Sequence, residues 1–202
     1  MILIGRYLSP FTRRVAVSLL RLDLPFERQA LTAWADLEAL RKLNPVGRVP
    51  ALILDDGEMI FESGAILDEI DRMVGPERAL LPADGPERRA ALRVTSVALG
   101  IMDKAAAARY ERVMRPENKI HTPWVEHNIG QARSGLQWLN TELATPPKSV
   151  SQAVISAVVA YDFIEFAMSD LVDLSQFPAL RDLALRCRDL EAFRETRPEI
   201  DL

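Results

Sequence analysis

Every stretch of this chain that reads as a β-strand lies within the first 61 residues, and this asymmetry constrains the fold more than any other feature. Residues 1–5 are a short apolar run closed by Gly5, the pattern of a buried strand. Residues 26–31 fit a second strand. Residues 49–54 are apolar again, Asp55-Asp56-Gly57 makes a hairpin turn, and residues 58–61 form the return strand. Helices fill the gaps. Ser9 is a favoured N-cap, Pro10 suits the first helical position, and Val15, Ala16, Leu19, Leu20 and Leu22 recur at helical spacing. Residues 34–43 are a shorter helical pattern stopped by Asn44-Pro45. Ser63 starts a third helix with Ile66, Ile70, Met73 and Val74 on one face. The order is β-α-β-α-β-β-α.

Beyond this the character changes. Gly75-Pro76 and the run Pro82 to Pro86 form a punctuated linker, and no strand pattern follows it. Residues 87–115 read as one long helix ended by Pro116, and residues 123–143 as a second. Residues 145–148 form a loop. Ser149 and Gln152 have the spacing of a capping box before a strongly apolar helix that runs to about Asp170. A last helix, residues 178–193, is closed by Arg197-Pro198. The expected organisation is an α/β domain over residues 1–78 and an all-helical domain over residues 85–202, without internal repeats.

Composition narrows the function classes. Apolar residues make up 49% and charged residues 27%, a globular balance that argues against disorder. The net charge of −4 comes without blocks of like charge, so neither nucleic acid nor a membrane surface is an expected partner, although Arg13-Arg14 and Arg88-Arg89 are local basic spots. The N-terminus has no secretory pattern. The most apolar stretch, residues 150–168, is interrupted by Ser151, Gln152, Ser156, Asp162 and Glu165, so no membrane span is expected and the cytoplasm is the expected location. Cys187 is the one cysteine, which excludes an internal disulfide and a cysteine metal cluster; with only His121 and His127 besides, no metal is expected.

Three segments of the first half carry a resemblance. Tyr7-Leu8-Ser9-Pro10-Phe11-Thr12-Arg13 resembles the active-site entry C-P-F-x-R of omega-type glutathione transferases, with serine in place of cysteine. Residues 44–52, from Asn44-Pro45 through Gly47-Arg48-Val49-Pro50 to Leu52, resemble the segment of that superfamily that contains its cis-proline. Phe61-Glu62-Ser63 with Ala65-Ile66 resembles its E-S-x-A-I motif. Phe177-Pro178 through Arg197-Pro198 resembles its closing segment, and the likeness runs nearly end to end. Gln152 departs from the family, which usually has aspartate there. The resemblance implies a thioredoxin-like N-terminal domain, an all-α C-terminal domain, glutathione as co-substrate and a homodimer built on Ala65, Met73 and the run 105–108.

The implied chemistry is ionisation of the glutathione thiol. A free thiol has a pKa of about 8.5, and lowering it by about two units corresponds to about 2.7 kcal/mol. One hydrogen bond to a charged acceptor supplies about 1.5–3 kcal/mol, and a helix N-terminus about 0.3–1 more. A single hydroxyl at a helix mouth is enough. By resemblance that hydroxyl is Ser9, with Tyr7 as the rival donor; capping the helix is the plain alternative role of Ser9, and the two are compatible because the cap uses only the oxygen. The resemblance places Phe11 in the glutathione site and implies a cis Val49-Pro50 bond that turns the Val49 main chain toward the cysteinyl part of glutathione. Arg48 either reaches a glutathione carboxylate or stays solvated. Ser63 takes the γ-glutamyl carboxylate and Glu62 its ammonium, or the two only start a helix.

Met102, Ala106 and Tyr110, with Arg109 beside them, form the face of the long helix that would meet the electrophile; core packing is the plain reading of the same stripe. Trp124 and Trp138 read as core or interface residues, and His121 and His127 as surface residues. The leading function is transfer of glutathione to a small, mostly apolar electrophile. Glutathione-dependent thiol–disulfide reduction, as omega-type relatives perform, is a second enzyme reading, disfavoured because it needs a cysteine at position 9 and serine cannot form the mixed disulfide. A non-catalytic interaction module, or an isomerase or dehalogenase of one metabolite, are the alternatives.

Overall fold

A computed structural model describes residues 1–198 and divides them into two compact units, so the last four residues of the expected second domain lie outside the described residues. One unit comprises Met1–Ala83 together with the segment from Leu190; the other is Asp84–Asp189.

In the first unit the strands β1 (Ile2–Ile4), β2 (Glu27–Gln29), β3 (Ala51–Ile53) and β4 (Met59–Phe61) form one sheet in the order β2-β1-β3-β4. β1 runs parallel to β2 and antiparallel to β3, and β3 runs antiparallel to β4. Successive side chains of a strand point to opposite faces. Leu3 and Leu52, paired across β1 and β3, pack with Val15, Ala16 and Leu19 of α1 (Pro10–Arg21) and with Ile66 and Ile70 of α3 (Ser63–Val74). Ile4 and Ala51, the next pair, face Leu40 of α2 (Leu37–Leu43). The sheet thus lies between two helices on one face and one on the other, the thioredoxin-like arrangement that the resemblance implied.

Three local details differ from expectation. The second strand is confined to Glu27–Gln29. The helix expected from residue 34 starts at Leu37, because Asp36 folds back: its Oδ2 accepts from Thr32 N at 2.8 Å, while Thr32 Oγ1 accepts from Ala35 N at 2.9 Å. The basic spot Arg13-Arg14 is no surface feature, since both side chains are buried on α1. Arg13 Nε donates to the Thr196 carbonyl at 2.9 Å, and its guanidinium lies 5.9 Å from the ring centre of buried Phe193. This fastens the C-terminal segment, with its short helix Glu191–Glu195, to α1.

The second unit contains α4 (Gly85–Val113), α5 (Thr122–Glu142), α6 (Gln152–Met168) and α7 (Pro178–Arg188), and no strand among the described residues. Gly135 lets α5 approach α4: a Cβ there would meet Ile101 Cγ1 at 2.6 Å. α6 is buried without interruption from Gln152 to Ile164, as expected of a helix apolar on all sides. Its one buried acid, Asp162, takes Arg188 Nε at 3.1 Å and Nη2 at 2.5 Å. The capping box is not formed. Ser151 is the N-cap and accepts from Val154 N at 3.5 Å, so Gln152 is the first helical residue and cannot reach back to a cap three positions before it. The helix expected over 178–193 breaks after Arg188, where Leu190 is extended, and a new helix starts at Glu191. No helix among the described residues is long and apolar enough to cross a membrane.

Candidate functional site

Three chain segments converge in the first unit, and each is shaped by its own sequence. The first is the start of α1. Ser9 is its N-cap, with extended backbone and Oγ accepting from Thr12 N at 3.3 Å; Pro10 occupies the first helical position, where no N–H is needed. The cap uses the Ser9 oxygen as acceptor and leaves the hydroxyl proton to be donated. Phe11 is half-buried in the first turn. β1 meets this turn through Gly5, whose φ is +134° and where a Cβ would lie 2.4 Å from Thr12 Oγ1 and 3.1 Å from Val49 Cβ. Only glycine fits, and its absence of side chain brings Thr12 and Val49 close.

The second segment leads from α2 to β3. Asn44 is buried and does more than stop α2: Nδ2 donates to the Arg48 carbonyl at 3.0 Å, and Oδ1 accepts from Val46 N at 3.0 Å. This clamps the loop ahead of the Val49-Pro50 bond, which is cis, as the resemblance implied. Val49 is half-buried, Pro50 buried, and the Arg48 side chain exposed.

The third segment is the start of α3. Here Glu62, not Ser63, is the N-cap: its Oε2 accepts from Gly64 N at 2.9 Å and its Oε1 from Ser63 Oγ at 3.0 Å. Glu62 has φ +71°, a backbone region that L-residues rarely occupy, which marks this position as held by its surroundings. Ser63 is fully buried and its Oγ accepts from Arg14 Nη1 at 3.2 Å. Burial pushes the Arg14 guanidinium down to about 10, and the Glu62 carboxylate opposes that shift. A buried arginine therefore joins α1, five residues after Ser9, to the pair at the head of α3.

Arg14 and Asn44 are the site residues that sequence reasoning did not single out as such. The signal for Arg14 was available: it interrupts the apolar stripe of α1 just before Val15 and Ala16, where a charge must find a partner. Tyr7 faces different company. Arg28 lies 4.1 Å from its ring centre, and Tyr7 lines a cavity with Leu20, Leu24, Pro25 and Phe26.

In the second unit the expected electrophile residues separate. Met102 is wholly buried in the core, so its role is packing; Ala106 and Arg109 are half-buried, and Tyr110 is exposed. Trp124 is exposed and stacks on His127, with ring centres 5.6 Å apart.

Known proteins match this arrangement. Residues 3–78 match the family described as Glutathione S-transferase, N-terminal domain. The uncharacterized GST-like protein YibF of Escherichia coli K12 is 36% identical over 102 residues, 50% of each chain. The maleylacetoacetate isomerase of Pseudomonas aeruginosa is 33% identical over 101 residues, 48% of this chain and 47% of that one. The chain spans about half the length of these two relatives in the matched stretches. A crystal structure of a glutathione transferase family member from Pseudomonas fluorescens Pf-5, with bound S-(propanoic acid)-glutathione, is 30% identical and covers 98% of this chain and 99% of that one, with a TM-score of 0.86. A likeness that holds in sequence over the α/β unit and in structure along nearly the whole chain makes this protein a member of the glutathione S-transferase superfamily.

Proposed function

We propose that the chain is a glutathione transferase that holds glutathione on its α/β unit and activates the thiol with Ser9 for attack on a small electrophile. What supports this reading is the packing of the first turn of α1, capped by Ser9, close to Val49 across Gly5, with a cis-proline after Val49 and the Glu62-Ser63 pair held by Arg14. The Ser9 hydroxyl donates to the thiolate at the positive end of α1. The Val49 main chain pairs with the cysteinyl backbone as one strand pairs with another. Ser63 and the first N–H groups of α3 take the γ-glutamyl carboxylate, Glu62 takes the ammonium, and Arg48 and Phe11 border the tripeptide. The place of the Ser9 hydroxyl at the N-terminus of α1 favours it over Tyr7 as donor. Arg109 and Tyr110, with Ala106, contact the second substrate. The working form is a homodimer, and glutathione is a co-substrate rather than a resident cofactor.

Similarity to a maleylacetoacetate isomerase favours a second reading, glutathione-dependent isomerisation of one metabolite. Calorimetric titration with glutathione, followed by assays with a general aromatic electrophile and with maleylacetoacetate, separates the outcomes. Binding with arylation supports the transferase; binding with isomerisation alone supports the second reading. Binding without either reaction makes the chain a glutathione-binding interaction module.

A further inference from the structure

The helical unit contains a cavity of about 350 Å³ at the C-terminal end of α4, a size within the range of small-ligand sites. Arg109, Arg112 and Asp170 line its polar side, and Val113, Ile120 and Ala167 its apolar side. Its charges do not cancel. Arg112 forks onto Asp170, with Nη1 to Oδ1 at 3.1 Å and Nη2 to Oδ2 at 2.5 Å, so those two groups satisfy each other. Arg109 is half-buried, and its guanidinium has no ion-pair or hydrogen-bond partner among the described residues. The chain beside Ile120 is held in place. Buried Glu111 accepts from His121 N at 3.0 Å and pairs with Arg115 Nε at 2.8 Å, tying the chain beside Ile120 back to α4.

We propose that this cavity binds a small organic carboxylate, with the carboxylate on Arg109 and the apolar body against Val113, Ile120 and Ala167. One uncompensated positive charge matches a monoanion; a phosphate dianion would need Arg112 as well, and Arg112 is held by Asp170. A planar guanidinium offers a carboxylate two parallel hydrogen bonds, which a neutral isostere cannot receive with equal strength. The inference rests on the assignment of Arg109 to the second substrate and narrows it, since the electrophile it names carries a carboxylate.

The test is calorimetric titration of the full chain, without glutathione, using phenylacetate and its neutral analogue phenylacetamide. The wild type binds phenylacetate one to one and the amide roughly tenfold or more weakly, the worth of one charge-assisted hydrogen bond. Arg109→Gln removes the preference for the acid, and Arg109→Lys restores part of it. Ala167→Phe, which fills the cavity, weakens both ligands and carries the test if the Arg109 variants fail to fold. Equal affinity for acid and amide, no saturable binding, or undiminished preference in Arg109→Gln overturns the proposal. Because glutathione is absent from the titration, failure of the glutathione reading leaves this outcome unchanged, and failure here leaves glutathione binding unchanged.

Discussion

Arg14 donates from Nη1 to the Ser63 hydroxyl at 3.2 Å, and Ser63 in turn donates to Glu62 at 3.0 Å, so one hydrogen-bonded line runs from the core of α1 to the exposed carboxylate that caps α3. If Ser63 turned, the buried guanidinium would lose this bond. The line fixes both the Ser63 oxygen and the Glu62 carboxylate before any ligand arrives.

Arg14→Met should break this line, lowering stability by about 1–3 kcal/mol and weakening glutathione binding, because Ser63 and Glu62 lose their support. Arg14→Lys keeps the charge but not the planar fork, and should recover stability better than affinity. Thermal melts and calorimetry on both variants check this; a lysine variant that restores affinity fully would reduce Arg14 to a charge.

Glu62→Ala should weaken glutathione by about 2 kcal/mol, leaving a bound ammonium unpaired. Glu62→Gly should lose the same affinity yet be more stable than the alanine variant by about 1–3 kcal/mol, since glycine occupies φ +71° without strain. Denaturant titrations of the two variants give the comparison. Equal stability would mean that the backbone at this position is unstrained.

Ser9→Ala should leave glutathione affinity within a few fold while raising the pKa of the bound thiol by about one to two units, read as loss of thiolate absorbance near neutral pH. Loss of the N-cap should lower stability by about 0.5–2 kcal/mol. Ser9→Cys, given oxidised glutathione, should attack its disulfide and form a mixed disulfide with release of one reduced glutathione, because a cysteine at a helix N-terminus has a depressed pKa. An unchanged thiol pKa in the alanine variant would pass the donor role to Tyr7.

The hydrogen bond from Arg112 holds the Asp170 carboxyl below its ordinary range. A carboxyl with a lower pKa folded than unfolded binds fewer protons in the folded state. Its contribution is therefore complete above the unfolded value, about 3.9, and is lost as pH falls through the folded one. The wild type should lose stability more steeply below about pH 4 than Asp170→Asn. Urea melts at a series of acid pH values test this, and parallel curves would rule it out.

Light scattering at micromolar concentration should return about twice the chain mass. Of the surface expected for pairing, Ala65 and Met73 on α3 are exposed, as are Met59 and Phe61 on β4, whereas Ala105 and Ala108 are buried in α4 and offer none. A clean monomer would remove the dimer from the proposed function.

The fold was legible because its signals are local. Gly5, the Ser9-Pro10 start and the Asp55-Asp56-Gly57 turn each declare themselves within a few residues, and strand patterns stop where the sheet stops. The cis bond at Val49-Pro50 came from the motif around it, not from any property of the dipeptide. What escaped depends on tertiary contact. Arg14 reads as charge on a helix until Ser63, 49 positions away, is brought beside it. Both Ser149 and Ser151 are residues suited to a cap, and the helix takes the second. The break after Arg188 has no glycine or proline to announce it, and it delivers Phe193 and Thr196 to α1.

That delivery has a consequence for biosynthesis. Arg13 and the flank of α1 are covered by residues that leave the ribosome after the whole helical unit has been made. The α/β unit, although most of it precedes the helical unit in the chain, is therefore finished after that unit. A nascent chain halted anywhere between Asp84 and Asp189 bares the same buried arginine on the helix that begins at Ser9, so every incomplete product carries one common mark of its incompleteness.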